Sequence, residues 1–339
     1  MNTVLLHCIF NNKYIDTITN IVLYKACNAP YKQLENIKPC QIQTLYQLTK
    51  DRYIIEQWLQ SQIIHLAKIW DYITDFELAD LIWTFNEKYI RQKGDDVVCC
   101  GIIDVVRRCT TGFTDKAMDR AAENGHLEIL KWLHANRTEG CTKDAMDRAA
   151  ENGHLEILKW LHANRTEGCT VKAMDRAAEN GHLKIVQWLS YNRFEGCTKR
   201  AMDGAAQNGH LETVKWLHHA PERTEGCTTY AMDGAAEEGH LEIVKWLSKN
   251  RIEGCTTDAM DGAAKKGHLE IVKWLHQNRK EGCTTYAMDW AARFGHLKII
   301  KWLHQNRKEG CTKKAMDWAT GNGHLKVVKW LSENITQNG

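Results

Sequence analysis

The chain has 339 residues, of which 43% are hydrophobic and 26% charged, enough apolar material for a folded core. Its formal net charge is only +3, so no bulk electrostatic attraction draws it to nucleic acid or to an acidic membrane. Three prolines in the whole sequence favour helix over loop-rich β structure.

The N-terminal "MNTVLLHCIFNNK" has a short apolar run but no basic stretch before it and no small residues after it, a poor match to a signal peptide. No run approaches 18 apolar residues, so no transmembrane helix is expected. "IIEQWLQSQIIHLAKIWDYI" and "FELADLIWTFNEKYI" have helical periodicity, with Trp58, Trp70 and Trp83 among the apolar positions. Residues 1–96 are read as a helical N-terminal capping region. The alternative is a separate module that recruits a substrate protein, although no motif for one is present. Residues 97–111, "VVCCGIIDVVRRCTT", read as a degenerate half-repeat.

From Gly112 to Asn334 one unit is repeated eight times. "AMDRAAENGHLEILKWLHANRTEGCT" fills 117–142 and returns letter for letter at 145–170. The repeated methionines, from Met118 to Met316, are spaced by 28 residues with a single gap of 30. A fixed period of this size predicts a stacked array. Within one unit Thr142 suits a helix N-cap, "KDAMDRAAEN" a first helix, and Asn152-Gly153 its stop. "HLEILKWLHAN" makes a second helix with an apolar stripe of Leu155, Ile157, Leu158, Trp160 and Leu161. Each such pair must bury its apolar side against a neighbour. The longer turn "HHAPERTEG" should loop out. Thr320, Gly321 and the polar tail, residues 335–339, suit a terminal repeat.

Gly-Cys-Thr followed by Ala-Met-Asp-x-Ala-Ala-x-x-Gly-His-Leu-x-Ile-Val-x-Trp-Leu resembles the ankyrin repeat, in a divergent short form similar to repeats of large DNA viruses and some protists. The resemblance covers about two thirds of the chain. It implies an all-α fold, an α-solenoid of stacked helix-turn-helix repeats. It also implies a protein–protein interaction scaffold or adaptor that binds a macromolecular partner in a concave groove lined by first helices. The family period is 33. Here about seven residues are missing where the family makes a β-hairpin finger, so little strand is expected and contacts must come from the helices and short turns.

Several recurring residues could carry chemistry. His126 and its equivalents each share a unit with a Cys, but zinc sites bring ligands in close pairs, so a packing role is expected and no metal. Asp119 and its equivalents sit near that His. Eight copies argue against an active site, which is single and asymmetric, and for a ladder in which each Asp bonds a turn or the Arg at 137 and its equivalents. There is no nucleophile, phosphate loop or cofactor motif, so no enzyme, no catalytic residue, no cofactor and no small-molecule substrate are expected. The row from Trp132 to Trp330 could bind nucleic acid only beside a basic groove, and is read instead as core stacking. Seven of the 13 cysteines fall at one position of the repeat. Neighbouring copies would lie roughly 8–10 Å apart, beyond the about 7 Å that a disulfide spans. They are read as free thiols in an intracellular, reducing compartment.

What varies between units is the exposed part of the first helix. Its ninth position runs Arg120, Arg148, Arg176, Gly204, Gly234, Gly262, Trp290, Trp318. The row starts charged, thins to glycine as a shallow floor beside Tyr230, and ends aromatic and basic. Tyr286, Trp290 and Phe294 share a stripe at i, i+4, i+8, Arg293 lies at its edge, and Trp318 follows one repeat on. Tyr230, Tyr286, Trp290, Arg293, Phe294 and Trp318 are therefore the expected partner-binding residues of a monomer, with a nucleic-acid-binding solenoid as the alternative. Trp290→Ala should weaken partner binding, and Trp274→Ala should destabilise the fold.

Overall fold

The first turn of each repeat shows why the chain starts a helix there. The Thr142 hydroxyl accepts the Asp144 N–H at 3.1 Å, capping a helix over Asp144–Glu151. Thr114, Thr170, Thr198, Thr284 and Thr312 do the same for the helices that follow them. Thr228 and Thr256 cap from two residues ahead of Tyr230–Glu237 and Asp258–Lys266. Such a cap satisfies one of the donors that a helix start leaves free. Each first helix ends at a glycine with positive φ, such as Gly153 at 85°, where a residue with a Cβ would be strained.

The computed structural model describes Ile82, residues 93–220 and residues 225–335. Among them are eighteen α-helices, one short 3-10 helix and no strand. The fold is an all-α solenoid of helix-turn-helix repeats. The expected helices around Trp58, Trp70 and Trp83 lie outside the described residues, as do most of the N-terminal capping region and the inserted residues around Pro221.

Two compact units divide the chain, Met1–Ala145 and Met146–Gly339. In the first, Gly94–Val97 and Ile103–Val106 are short helices joined by a 3-10 turn. Val97, Val98, Val105 and Val106 are fully buried, at the positions that Ala121, Ala122, Ile129 and Leu130 hold one repeat on. In the second unit the first helices of consecutive repeats pack side by side, from Val171–Glu179 through Lys199–Gln207 to Lys313–Gly321. The core repeats as sharply as the sequence does. Ala and Met of the first helix, the Ala-Ala pair, and Ile, Val or Leu of the second are almost completely buried in unit after unit.

The tryptophan row differs from its reading as core. All eight residues from Trp132 to Trp330 are half-buried, and the leucine after each is buried instead. Where the preceding repeat offers a His, its ring meets the indole edge-on, as in His276–Trp302 and His304–Trp330, both at 5.2 Å.

Candidate interaction surface

Most of the polar residues that recur are occupied in joining one repeat to the next. Asp119 accepts the N–H and hydroxyl of Thr142, the cap residue of the following repeat, at 2.8 and 2.7 Å. Within the second unit the same two bonds run from Asp147 to Thr170, Asp175 to Thr198, Asp203 to Thr228, Asp233 to Thr256, Asp261 to Thr284 and Asp289 to Thr312. Asp95, just before the degenerate half-repeat, holds Thr114 in the same way. Burial raises the pKa of Asp119, Asp203, Asp233 and Asp261 above the ordinary carboxylate value, and the threonine bonds oppose that shift only in part. The expected ladder is thus a bond to a turn, and its alternative partner is corrected. Arg137, Arg165, Arg193, Arg251, Arg279 and Arg307 pair with the Glu two residues on.

That Arg–Glu clamp is also a joint between repeats. Glu195 accepts the Cys169 N–H of the preceding turn. Burial pushes the Cys169 thiol up to about 12, and Cys227, Cys255 and Cys283 up to about 11. Such thiols stay protonated near neutral pH and are weak nucleophiles. The crevice lined by Cys197, Met202, Leu217 and Gly226 has a volume of about 10 Å³, room for one water.

The recurring His has its own task. His126 Nε2 lies 3.1 Å from the Cys99 carbonyl oxygen, His296 Nε2 3.0 Å from that of Lys265, and His324 Nε2 3.0 Å from that of Arg293. As the Nε2–H tautomer each donates to the end of the preceding first helix. Burial lowers the pKa of His210, His268 and His296, which keeps the rings neutral donors. The imidazole also covers the preceding turn glycine, so a Cβ on Gly153 would sit 2.8 Å from His182 Cε1. The Asp and His that resemble a general-base pair therefore face different groups.

Of the six residues read as partner-binding, the structure brings five together. Trp290 stacks on Phe294 with ring centroids 6.0 Å apart and planes 13° from parallel, and Trp318 lies 5.1 Å from Trp290. The Arg293 guanidinium sits over Trp290 at 4.9 Å, Trp318 at 5.3 Å and Phe294 at 5.7 Å. Lys314, which the sequence reading did not single out, joins Trp318 at 5.8 Å to Tyr286 at 5.9 Å. Lys265 closes the other side, 5.6 Å from Trp290 and 2.8 Å from Glu237. Tyr286 and Phe294 are about half exposed, while Trp290, Trp318 and Arg293 are half-buried. Tyr230 stands apart from this group. It is exposed, and its hydroxyl donates to Gln207 Oε1 at 3.2 Å.

The glycine part of the row is not a shallow floor. A Cβ on Gly204, Gly234 or Gly262 would lie 3.0, 3.1 or 2.8 Å from the Cβ of Glu179, Gln207 or Glu237 on the preceding first helix. These glycines let neighbouring helices touch. Lys265 and Glu237, in the position three residues on, then pair across the contact.

Ankyrin-repeat models match the sequence in overlapping segments. A model of three copies covers residues 174–261, 202–283 and 260–338, and a model of many copies covers 118–162 and 146–189. Together they run from residue 118 to 338, well over half of the chain. The chain belongs to the ankyrin-repeat family. No curated protein matches it. Ankyrin repeats are generally protein–protein interaction modules and typically non-enzymatic scaffolds. In this ankyrin protein no helix among the described residues is long and apolar enough to cross a membrane.

Charge follows the same axis as the aromatic row. Residues 282–335, the seventh and eighth ankyrin repeats, carry nine Lys and Arg against four Asp and Glu. Residues 112–167, the first two, carry eight against ten. Of the four C-terminal acids, Asp289 is buried on Thr312 and Glu309 is clamped by Arg307. A tally by repeat would have found this gradient, and the cations around the rings, from sequence alone.

Proposed function

We propose that this protein is an adaptor or scaffold that binds a protein partner on the first-helix face of repeats seven and eight. The observation that carries the reading is the ring cluster of Trp290, Phe294 and Trp318 around Arg293, with Tyr286 and Lys314 at its border. Six earlier repeats place Arg or Gly in that row and build the same joints without it. The rings are therefore additional to what holds the layers together. Half-exposed aromatics beside an arginine are the composition of interface hot spots. By the family resemblance this face lines the groove in which ankyrin partners lie.

The test is a pull-down with three baits, wild type, Trp290→Ala and Trp274→Ala, each checked for folding by its melting curve. A partner that Trp290→Ala loses and Trp274→Ala keeps supports the reading. A partner retained at full strength by Trp290→Ala sinks it. Repeating the capture with DNA and RNA across a salt titration separates a phosphate-binding solenoid, whose affinity falls steeply with salt.

A further inference from the structure

The cations set among the rings narrow the kind of protein segment this face would take, an inference that rests on the reading just given. In the ninth and twelfth rows of the first helices, three cations have a carboxylate of the preceding layer beside them. Arg120 pairs with Asp96 at 2.6 Å, Arg176 with Glu151 at 2.8 Å and Lys265 with Glu237 at 2.8 Å. Arg293 departs from that pattern, and Lys314 stands in the exposed row of Lys116, Lys172 and Arg200. Among the described residues Arg293 and Lys314 lie on ring faces and form no ion pair.

A guanidinium laid on an indole keeps its N–H donors at its edge. It also loses little further freedom on binding, because the rings already hold it. The fork of donors matches a carboxylate in two parallel bonds. Lys314 places a second charge beside it, one ring away. The rings themselves suit a base less well. Trp290 is already faced by Phe294, Trp318, Arg293 and Lys265, whereas base stacking needs a ring face open to the ligand. The more exposed rings, Tyr286 and Phe294, remain for an apolar side chain.

We infer that the occupant is an acidic protein segment, with carboxylates on Arg293 and Lys314 and an apolar side chain against Phe294 or Tyr286. The excess of positive charge over residues 282–335 draws such a segment in, and the local pair fixes where it settles.

The full chain is used to select binders from a displayed library of random peptides of about 12 residues, a length suited to groove recognition. The variants Trp290→Ala, Arg293→Gln/Lys314→Gln and Lys298→Gln/Lys326→Gln are run beside it. The last pair removes the same charge from exposed lysines of the second helices. Selected peptides should be rich in Asp and Glu and carry an aromatic or aliphatic residue. A synthesised winner should lose about tenfold or more in affinity with Arg293→Gln/Lys314→Gln, and about twofold or less with the second-helix pair.

Neutral or basic winners overturn the inference, as does equal loss in the two double variants. Winners that need Trp290 but ignore Arg293 and Lys314 leave the face standing and remove the acidic partner. Winners that bind Trp290→Ala as well as wild type, or no enrichment over that variant, remove the face itself. A labelled thymidine oligonucleotide of similar length that binds more tightly than the acidic winner, in a Trp290-dependent way, assigns the face to nucleic acid instead.

Discussion

The same Asp–Thr bonds join the layers of repeats four to six and link repeat seven to repeat eight, yet the two regions differ at the ninth position of the first helix. In the former, glycine lets each first helix approach the preceding one until a Cβ would collide with it. In the latter, an indole occupies the row, and the rings pack on one another and on Arg293. The Asp–Thr bonds are the same on both sides, Asp233 to Thr256 in one region and Asp289 to Thr312 in the other. The same Asp–Thr joints therefore occur beside glycine and beside tryptophan, so the joints do not dictate the residue in this row.

The largest effect tests whether the lattice is in fact shared. Asp289 is fully buried, and truncating it strands a Thr312 N–H and a hydroxyl. Asp289→Ala should cost about 3 kcal/mol, and Asp233→Ala should agree within about 1 kcal/mol. Chemical denaturation of both variants measures this. An Asp289→Ala protein much less affected than Asp233→Ala would mean that the aromatic rings hold repeats seven and eight together, and the surface reading would fail.

Next in size is a swap of the two rows. Gly262→Trp forces a Cβ to within 2.8 Å of Glu237 Cβ and an indole into a closed contact, which should cost about 2 kcal/mol or more through overpacking. If that variant is as stable as wild type, the close approach read at the glycines is wrong. Smaller effects follow for the tryptophans. Trp274 is half-buried rather than core, so Trp274→Ala should cost about 2 kcal/mol, below the range for a fully buried ring. Trp290→Ala should cost about 1 kcal/mol of stability and about 2 kcal/mol or more of partner binding. Calorimetric melting alongside a binding titration separates the two, and equal losses of stability would return Trp290 to the core.

How much of this is legible in sequence depends on whether an interaction stays within one repeat. Thr142 as a cap, Gly153 as a stop and the Ile157–Leu158 stripe act within a turn or two, and the letters show them. The aromatic stripe of Tyr286, Trp290 and Phe294 lies on one helix, so its spacing was readable too. The joints lie between layers. Asp119 meets Thr142 23 residues away, and His296 meets the Lys265 carbonyl 31 residues back, so a period of 28 hides which partner each has. The Trp row was misplaced for a related reason. A regular aromatic next to a buried leucine has the periodicity of core, and only packing shows that it is half-buried, against a His of another layer. The close approach at Gly262 has no local signal at all.

The smallest effect concerns the Arg–Glu clamps, which again occur in both regions and should behave alike if the lattice is common. A hydrogen bond from Arg251, opposed by burial, holds Glu253 at about 2, below the ordinary value of 4.5. Burial acts first on Glu309 to raise it, but the Arg307 bond and backbone donors leave it lowered as well. A folded-state value below the ordinary one means that the clamp stabilises the protein above pH 4.5 and loses that contribution as the pH falls toward 2. The buried aspartates have the opposite sign. Asp233 and Asp261 are raised, so acid does not remove their contribution in that window. Glu253→Gln and Glu309→Gln should thus each cost about 1 kcal/mol or less at neutral pH, because both pairs are only partly buried. The gap from wild type should narrow on acidification, and for Glu253, held at about 2, it should stay partly open at pH 3, while the gap for Asp233→Ala should persist. Melting temperatures taken at intervals from neutral pH to about pH 3 check this. A Glu309→Gln gap that does not narrow in acid would mean that the turns of repeats seven and eight are held by something other than the clamp, and the two regions would differ in their joints as well as in their ninth row.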